Sequence, residues 1–208
     1  MTNSYTTVKE LAEFRFEDRK SVFIGYCMPV SNESEATDFI ASVKKKYPDA
    51  RHWVYAYVLR ENSAMRYTDD REPQGTAGMP VLDAMRKNGV TDAVIVVVRY
   101  FGGILLGTGG LVHAYGETAL GALRAAKIIQ YNTYTSMAVT VSYSDYQKIG
   151  GALAECNFYA VDTDYTDVVT VIGSVISDKY GELCSMLSEL TSGRCKIEFI
   201  EEKYDFRE

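Results

Sequence analysis

AVIVVVRYFGGILLGTGGLVHAY, residues 93–115, is the stretch on which the fold turns. Residues 93–98 form an unbroken apolar run dominated by β-branched side chains, the composition of a strand covered on both faces. The run stops at Arg99, Tyr100 and Phe101. Five glycines follow within nine residues, at Gly102, Gly103, Gly107, Gly109 and Gly110. A residue without Cβ tolerates positive φ and lets another segment come close, so a shaped loop is expected there. Thr108 is expected to cap a helix in which Leu111, Ala114, Tyr115, Thr118, Ala119, Ala122 and Leu123 recur at helical spacing. Strand, loop and helix N-terminus together leave unpaired N–H groups at the positive end of a helix dipole, a setting suited to an anion. Tight packing of the loop against the sheet is the competing use of the same glycines.

Two phosphate fingerprints fail on this stretch. Gly102 and Gly107 have the glycine spacing of a P-loop, but Thr108 and Gly109 stand where its lysine and hydroxyl residue belong. A dinucleotide fingerprint starting at Gly107 and Gly109 needs a third glycine where Val112 stands. No cofactor is therefore expected.

Around this centre, 208 residues with 47% hydrophobic and 24% charged side chains suit one large or two small globular domains. No apolar run reaches membrane-spanning length and the first residues lack a signal-peptide pattern, so a cytoplasmic protein without membrane association is expected. The four cysteines are widely separated and only two histidines are present. Neither a disulfide framework nor a metal site is suggested. The net charge of −6 is unevenly spread: residues 1–136 carry 16 basic and 15 acidic side chains, residues 137–208 carry 6 and 13. Phosphate contact needs a local excess of Lys and Arg, so polyanion binding is expected only of the first part. The polar segment 130–136, QYNTYTS, reads as a connector between domains 1–134 and 137–208.

Toward the N-terminus, residues 13–16 and 21–30 read as a hairpin around a charged turn ending at Lys20. Asn32 with Glu35 signals the start of an amphipathic helix that stops before Pro48, with Lys44, Lys45 and Lys46 in its last turn. Residues 52–59 alternate as a strand beginning at His52, which has no companion ligand nearby in sequence and reads as structural. YTDDREPQGTAGMP, residues 67–80, reads as a long loop leading into a helix. Its acidic residues Asp69, Asp70 and Glu72 are candidates for a cation or base role, with turn formation by Asp the alternative.

The loop 67–80 and the glycine stretch, in that order, resemble the signature of the IMPACT family, including its bacterial members of the YigZ type. The resemblance implies an α+β chain of two domains, the first like domain 2 of ribosomal protein S5 and the second a ferredoxin-like βαββαβ domain. It implies a role in translation, exercised in eukaryotic relatives through protein contacts with the kinase-activating machinery that controls initiation. Two departures stand out: Arg71 replaces the glycine of the family's D-D-G-E-P, which argues against a positive φ there, and His113 replaces a Lys or Arg, which makes one positive charge depend on pH.

Residues 137–208 support the second domain independently, with a strand, a helix, a strand pair, a helix and a final strand in the order βαββαβ. The expected function is that of a non-catalytic binding protein in translation, whose partners are RNA, the ribosome or a translation-regulatory protein. The expected site is the glycine-loop face: Arg99 and the loop N–H groups for a phosphate, Tyr100 and Phe101 for stacking. Thr108, His113, Thr76, Lys20 and the acidic trio complete the set. The rival expectations are an enzyme acting on a small phosphorylated or nucleotide ligand, and a protein–protein adaptor. The sequence leaves the oligomeric state open.

Overall fold

The computed structural model describes residues 4–206. The chain divides into two compact units, residues 5–130 and the residues from 131 onward. The first contains β1 (Tyr5–Val8), β2 (Ala12–Asp18), β3 (Ser21–Pro29), α1 (Glu33–Lys46), β4 (His52–Val58), a single 3-10 turn (Glu61–Ser63), β5 (Met65–Thr68), α2 (Gly78–Lys87), β6 (Ala93–Tyr100) and α3 (Gly107–Ala125). Its sheet runs β2-β3-β6-β4-β5, with antiparallel neighbours throughout. The apolar run is the middle strand, and both its faces are covered. Val94, Val96 and Val98 pack toward Ala36, Ile40 and Val43 of α1. Ile95 and Val97 pack toward α2 and α3, against Val81, Met85, Leu111 and Tyr115. Two-sided burial is why β6 lacks the alternation of a half-exposed strand.

Local signals account for most of the boundaries. Asn32 accepts from the Glu35 N–H at 3.0 Å and the Glu35 carboxylate accepts from the Ser31 N–H at 2.7 Å, a reciprocal cap that starts α1. The β2–β3 turn is tighter than expected: Asp18 pairs with Ser21, and Arg19 and Lys20 both take positive φ, 44° and 65°. Thr108 is not the helix cap. The helix α3 begins one residue earlier, and Leu106 holds the cap position without a side-chain hydrogen bond. The first turn of α3 thus keeps its N–H groups for something else. The loop 67–80 is shorter than expected, because Tyr67 and Thr68 belong to β5 and α2 begins at Gly78.

The second unit is built from the later part of β7 (Ile128–Val141), then α4 (Tyr143–Glu155), β8 (Tyr159–Tyr165), β9 (Val169–Ile176), α5 (Ser177–Thr191) and β10 (Lys196–Asp205). Its strands lie in the order β10-β7-β9-β8, all antiparallel, the order fourth, first, third, second of a ferredoxin-like sandwich. Met137, Val139, Ile149, Val171, Leu183 and Leu187 form its core. The polar segment 130–136 is no loop. It continues β7, where Tyr134, Thr135 and Ser136 pair with Ile176, Val175 and Ser174. All four cysteines are free.

Candidate functional site

Strand alternation sends Arg99 and Tyr100 to opposite faces of the sheet. Tyr100 turns toward α1, where its hydroxyl donates to Asp49 at 2.9 Å and its ring meets Tyr47. Arg99 turns toward α3, with its guanidinium near the rings of Phe23 and Phe101 and its side chain only 6% exposed. A buried cation needs a counter-charge. Glu72 supplies it: Arg99 Nη1 donates to Glu72 Oε1 at 2.5 Å, and the Glu72 side chain is 5% exposed. The same oxygen accepts from the Tyr115 hydroxyl at 2.8 Å. Burial, reinforced by the neighbouring Glu72 carboxylate, pushes the Tyr115 phenol far above its ordinary pKa, so it remains a donor.

His52 joins this cluster because β4 is paired with β6 in a register that sets His52 opposite Arg99. Its Nδ1 lies 2.8 Å from the Asp70 carbonyl oxygen and its Nε2 lies 3.6 Å from Glu72 Oε1. A carbonyl only accepts, so Nδ1 carries a proton. The sequence carries no local cue for this companion, since Glu72 is distant along the chain. One donor in the cluster stays unused: Arg99 Nε is buried without a hydrogen-bond partner.

Asp69 and Asp70 shape the loop that delivers Glu72. The Asp69 carboxylate accepts from the N–H groups of Gly75, Ala77 and Gly78 at 2.9, 3.1 and 2.8 Å, tying the loop to the start of α2. Asp70 Oδ2 accepts from the Trp53 N–H at 2.7 Å, and Thr76 Oγ1 donates to the Pro73 carbonyl. The Asp69 and Asp70 carboxylates are thus engaged by backbone donors, and among the described residues no group of three or more His, Cys, Asp and Glu side chains is placed to hold a metal ion. The positive φ of the family pattern survives the loss of its glycine: Arg71 has φ 70° and Asp70 φ 40°. Backbone tethers on both sides of Arg71 hold it there.

These elements enclose a cleft of about 440 Å³. His52, Glu72 and Arg99 are its buried side chains and the exposed Arg51 and Arg71 also line it. Phe101, Leu105, Leu106 and Leu111 make an apolar wall, and Gly107 and Thr108 bring in the first turn of α3. Of the residues singled out in the sequence, Glu72, Arg99, Phe101, Gly107 and Thr108 therefore converge. The other candidate site residues do not line the cleft, whereas His52, which reads as structural in the sequence, and Arg71 do. Gly102 supports it from behind, packed so closely on the β2–β3 turn that a Cβ would stand 2.0 Å from the Lys20 carbonyl carbon. Gly103 is in the loop, Gly109 and Gly110 continue α3, and exposed His113 stands edge-on to Phe16. A larger depression of about 1030 Å³ lies in the second unit, against Tyr159, Val161, Ile172 and Ile176. It brings together no buried charges, so the chemistry centres on the smaller cleft.

Residues 19–123 match the Impact N-terminal domain and residues 139–194 match the Domain of unknown function (DUF1949). The chain is 36% identical over 198 residues to IMPACT family member YvyE of Bacillus subtilis, covering 95% of this chain and 91% of that one. This chain belongs to the IMPACT family. Another IMPACT relative, YigZ of Escherichia coli, is 34% identical over 189 residues, covering 89% of this chain and 93% of its own. A crystallised hypothetical protein shares 32% identity with a TM-score of 0.60, over 98% of this IMPACT chain and all of that one. The architecture is α+β in two domains, S5 domain 2-like and then ferredoxin-like. Both stretches that face the cleft, the loop carrying Glu72 and the glycine loop, lie inside the Impact N-terminal match.

Proposed function

We propose that this chain is a non-catalytic binding protein acting in translation, and that its first domain takes a phosphate group of RNA, free or in the ribosome, into the cleft. The observation that carries this reading is the cleft itself, where the exposed Arg51 and Arg71 stand beside the uncapped first turn of α3 and the buried carboxylate of Glu72 is already paired with Arg99. Two guanidiniums without a carboxylate partner in the cleft, next to the positive end of a helix, suit an oxygen anion. The acidic second domain is not the polyanion surface in this reading.

Fluorescence anisotropy of 3′-labelled single-stranded RNA across a salt series tests it. Wild type binds with a clear salt dependence, and Arg51→Ala weakens binding by about 1–3 kcal/mol while lowering the slope of log K against log salt by about 0.7, as loss of one single-strand phosphate contact requires. No binding at low salt refutes the RNA reading. An adaptor reading draws support from a different observation: Phe101, Ile104 and Leu105 are 43%, 44% and 81% exposed along the glycine loop. It predicts retention of a protein partner that Leu105→Ser abolishes and nuclease treatment leaves intact.

A further inference from the structure

We infer that the cleft is built for a nucleotide 5′-phosphomonoester rather than for a phosphodiester in the middle of a strand, an inference that rests on the anion-binding reading above. Charge is the first argument. Three guanidinium groups, of Arg51, Arg71 and Arg99, face the single carboxylate of Glu72 among the residues lining the cleft. With Arg99 and Glu72 neutralising each other, two exposed cations and the positive end of α3 remain. A phosphomonoester carries close to two negative charges at neutral pH and a phosphodiester carries one. The doubly charged group matches what the cleft leaves uncompensated.

Oxygen count is the second argument. A monoester presents three terminal oxygens, and the accessible donors of the lining suffice for all of them: two exposed guanidiniums, each with several N–H groups, and the first turn of α3 at Gly107 and Thr108. A diester offers two such oxygens and must leave the cleft at both ends. Shape is the third. About 440 Å³ lies within the range of small-ligand sites, and Phe101 and Leu105 give one flat and one aliphatic surface for a sugar and base beyond the phosphate. The shared chemistry is the 5′-phosphate of a nucleotide, borne by an RNA end or by a free mononucleotide.

The full chain is titrated against a 3′-labelled RNA carrying either a 5′-phosphate or a 5′-hydroxyl, and separately against adenosine 5′-monophosphate by calorimetry. The expected result is at least about tenfold tighter binding of the 5′-phosphorylated RNA, as charge-assisted hydrogen bonds to an added charged group imply. Arg51→Ala and Arg71→Gly should erase the difference. Both side chains are exposed, and Arg71→Gly suits the positive φ of its position, so neither variant endangers the fold. Equal affinity for the two RNAs overturns this inference and leaves the RNA reading standing. Binding of the mononucleotide with no binding of either RNA supports the phosphomonoester inference and refutes the RNA reading. Absence of binding to all three probes overturns both.

Discussion

The Arg99–Glu72 pair makes a quantitative claim about stability. With the two side chains 6% and 5% exposed, removal of one partner strands the other charge away from water. Breaking a buried pair in this way costs about 3–5 kcal/mol, whereas replacing both charges by neutral groups of similar size is close to neutral. The decisive set is Arg99→Met, Glu72→Gln and the double variant, in which the glutamine still offers the Tyr115 hydroxyl an acceptor. The sequence holds a single tryptophan, Trp53 on β4, whose indole N–H donates to the Tyr47 carbonyl at 3.1 Å. Its fluorescence therefore reports the first domain. With a urea dependence of about 2 kcal/mol per molar, a loss of about 4 kcal/mol moves the Arg99→Met midpoint down by about 2 M. The double variant should recover most of that shift. A wild-type midpoint for Arg99→Met, or a double variant as unstable as Arg99→Met alone, refutes the claim that an uncompensated carboxylate is the cause.

Arg71→Gly should raise the thermal midpoint of the Trp53 transition by a few degrees, because relief of a left-handed conformation at φ 70° is worth about 1–2 kcal/mol and the extra chain entropy of glycine returns part of it; a lower midpoint contradicts the strain argument. In the second domain, Arg194 first and then Lys148, with help from Ser142, hold the Asp145 carboxyl well below the ordinary value of 3.8. The folded state thus releases this proton more readily than the unfolded chain, so its stabilisation is complete above the ordinary carboxylate range and drains away as pH falls below it. Urea unfolding followed by circular dichroism, in the transition to which Trp53 is silent, should weaken in acid for wild type and much less for Asp145→Asn; equal acid sensitivity of the two excludes Asp145 as the source.

Much of the fold could be read from periodicity because burial imposes it. The run at 93–98 is two-sided in composition and two-sided in packing, and α1 and α3 carry the spacing their buried faces require. Periodicity is silent where side chains do not specify the structure. The edge strand β5 has the sequence MRYT and is largely exposed, so only its pairing with β4 marks it as a strand. Residues 130–136 of β7 are polar, yet pairing with β10 from Asn132 and with β9 from Tyr134 satisfies the backbone whatever the side chains are. The Arg19–Lys20 turn lacks the Asn or Gly that usually advertises two positive φ values.

The site was half visible for a related reason. Sequence order places Arg99 between a buried strand and a glycine loop, which suggests a cation held out for a ligand. Burial reverses that assignment of charge. A strand sealed on both faces cannot end in an unpaired guanidinium, so Arg99 demands a carboxylate, and Glu72 in the neighbouring motif is the one delivered by the loop that Asp69 and Asp70 fix. That demand follows from the sequence alone once two-sided burial is granted. The identity of the free cations does not: Arg51 and Arg71 acquire their role only because β4–β6 register and a left-handed loop residue bring them to the same cleft. Net positive charge thus resides at the entrance rather than at the buried base, where Glu72 cancels Arg99. An incoming anion would be drawn by the two exposed guanidiniums and oriented by the first turn of α3.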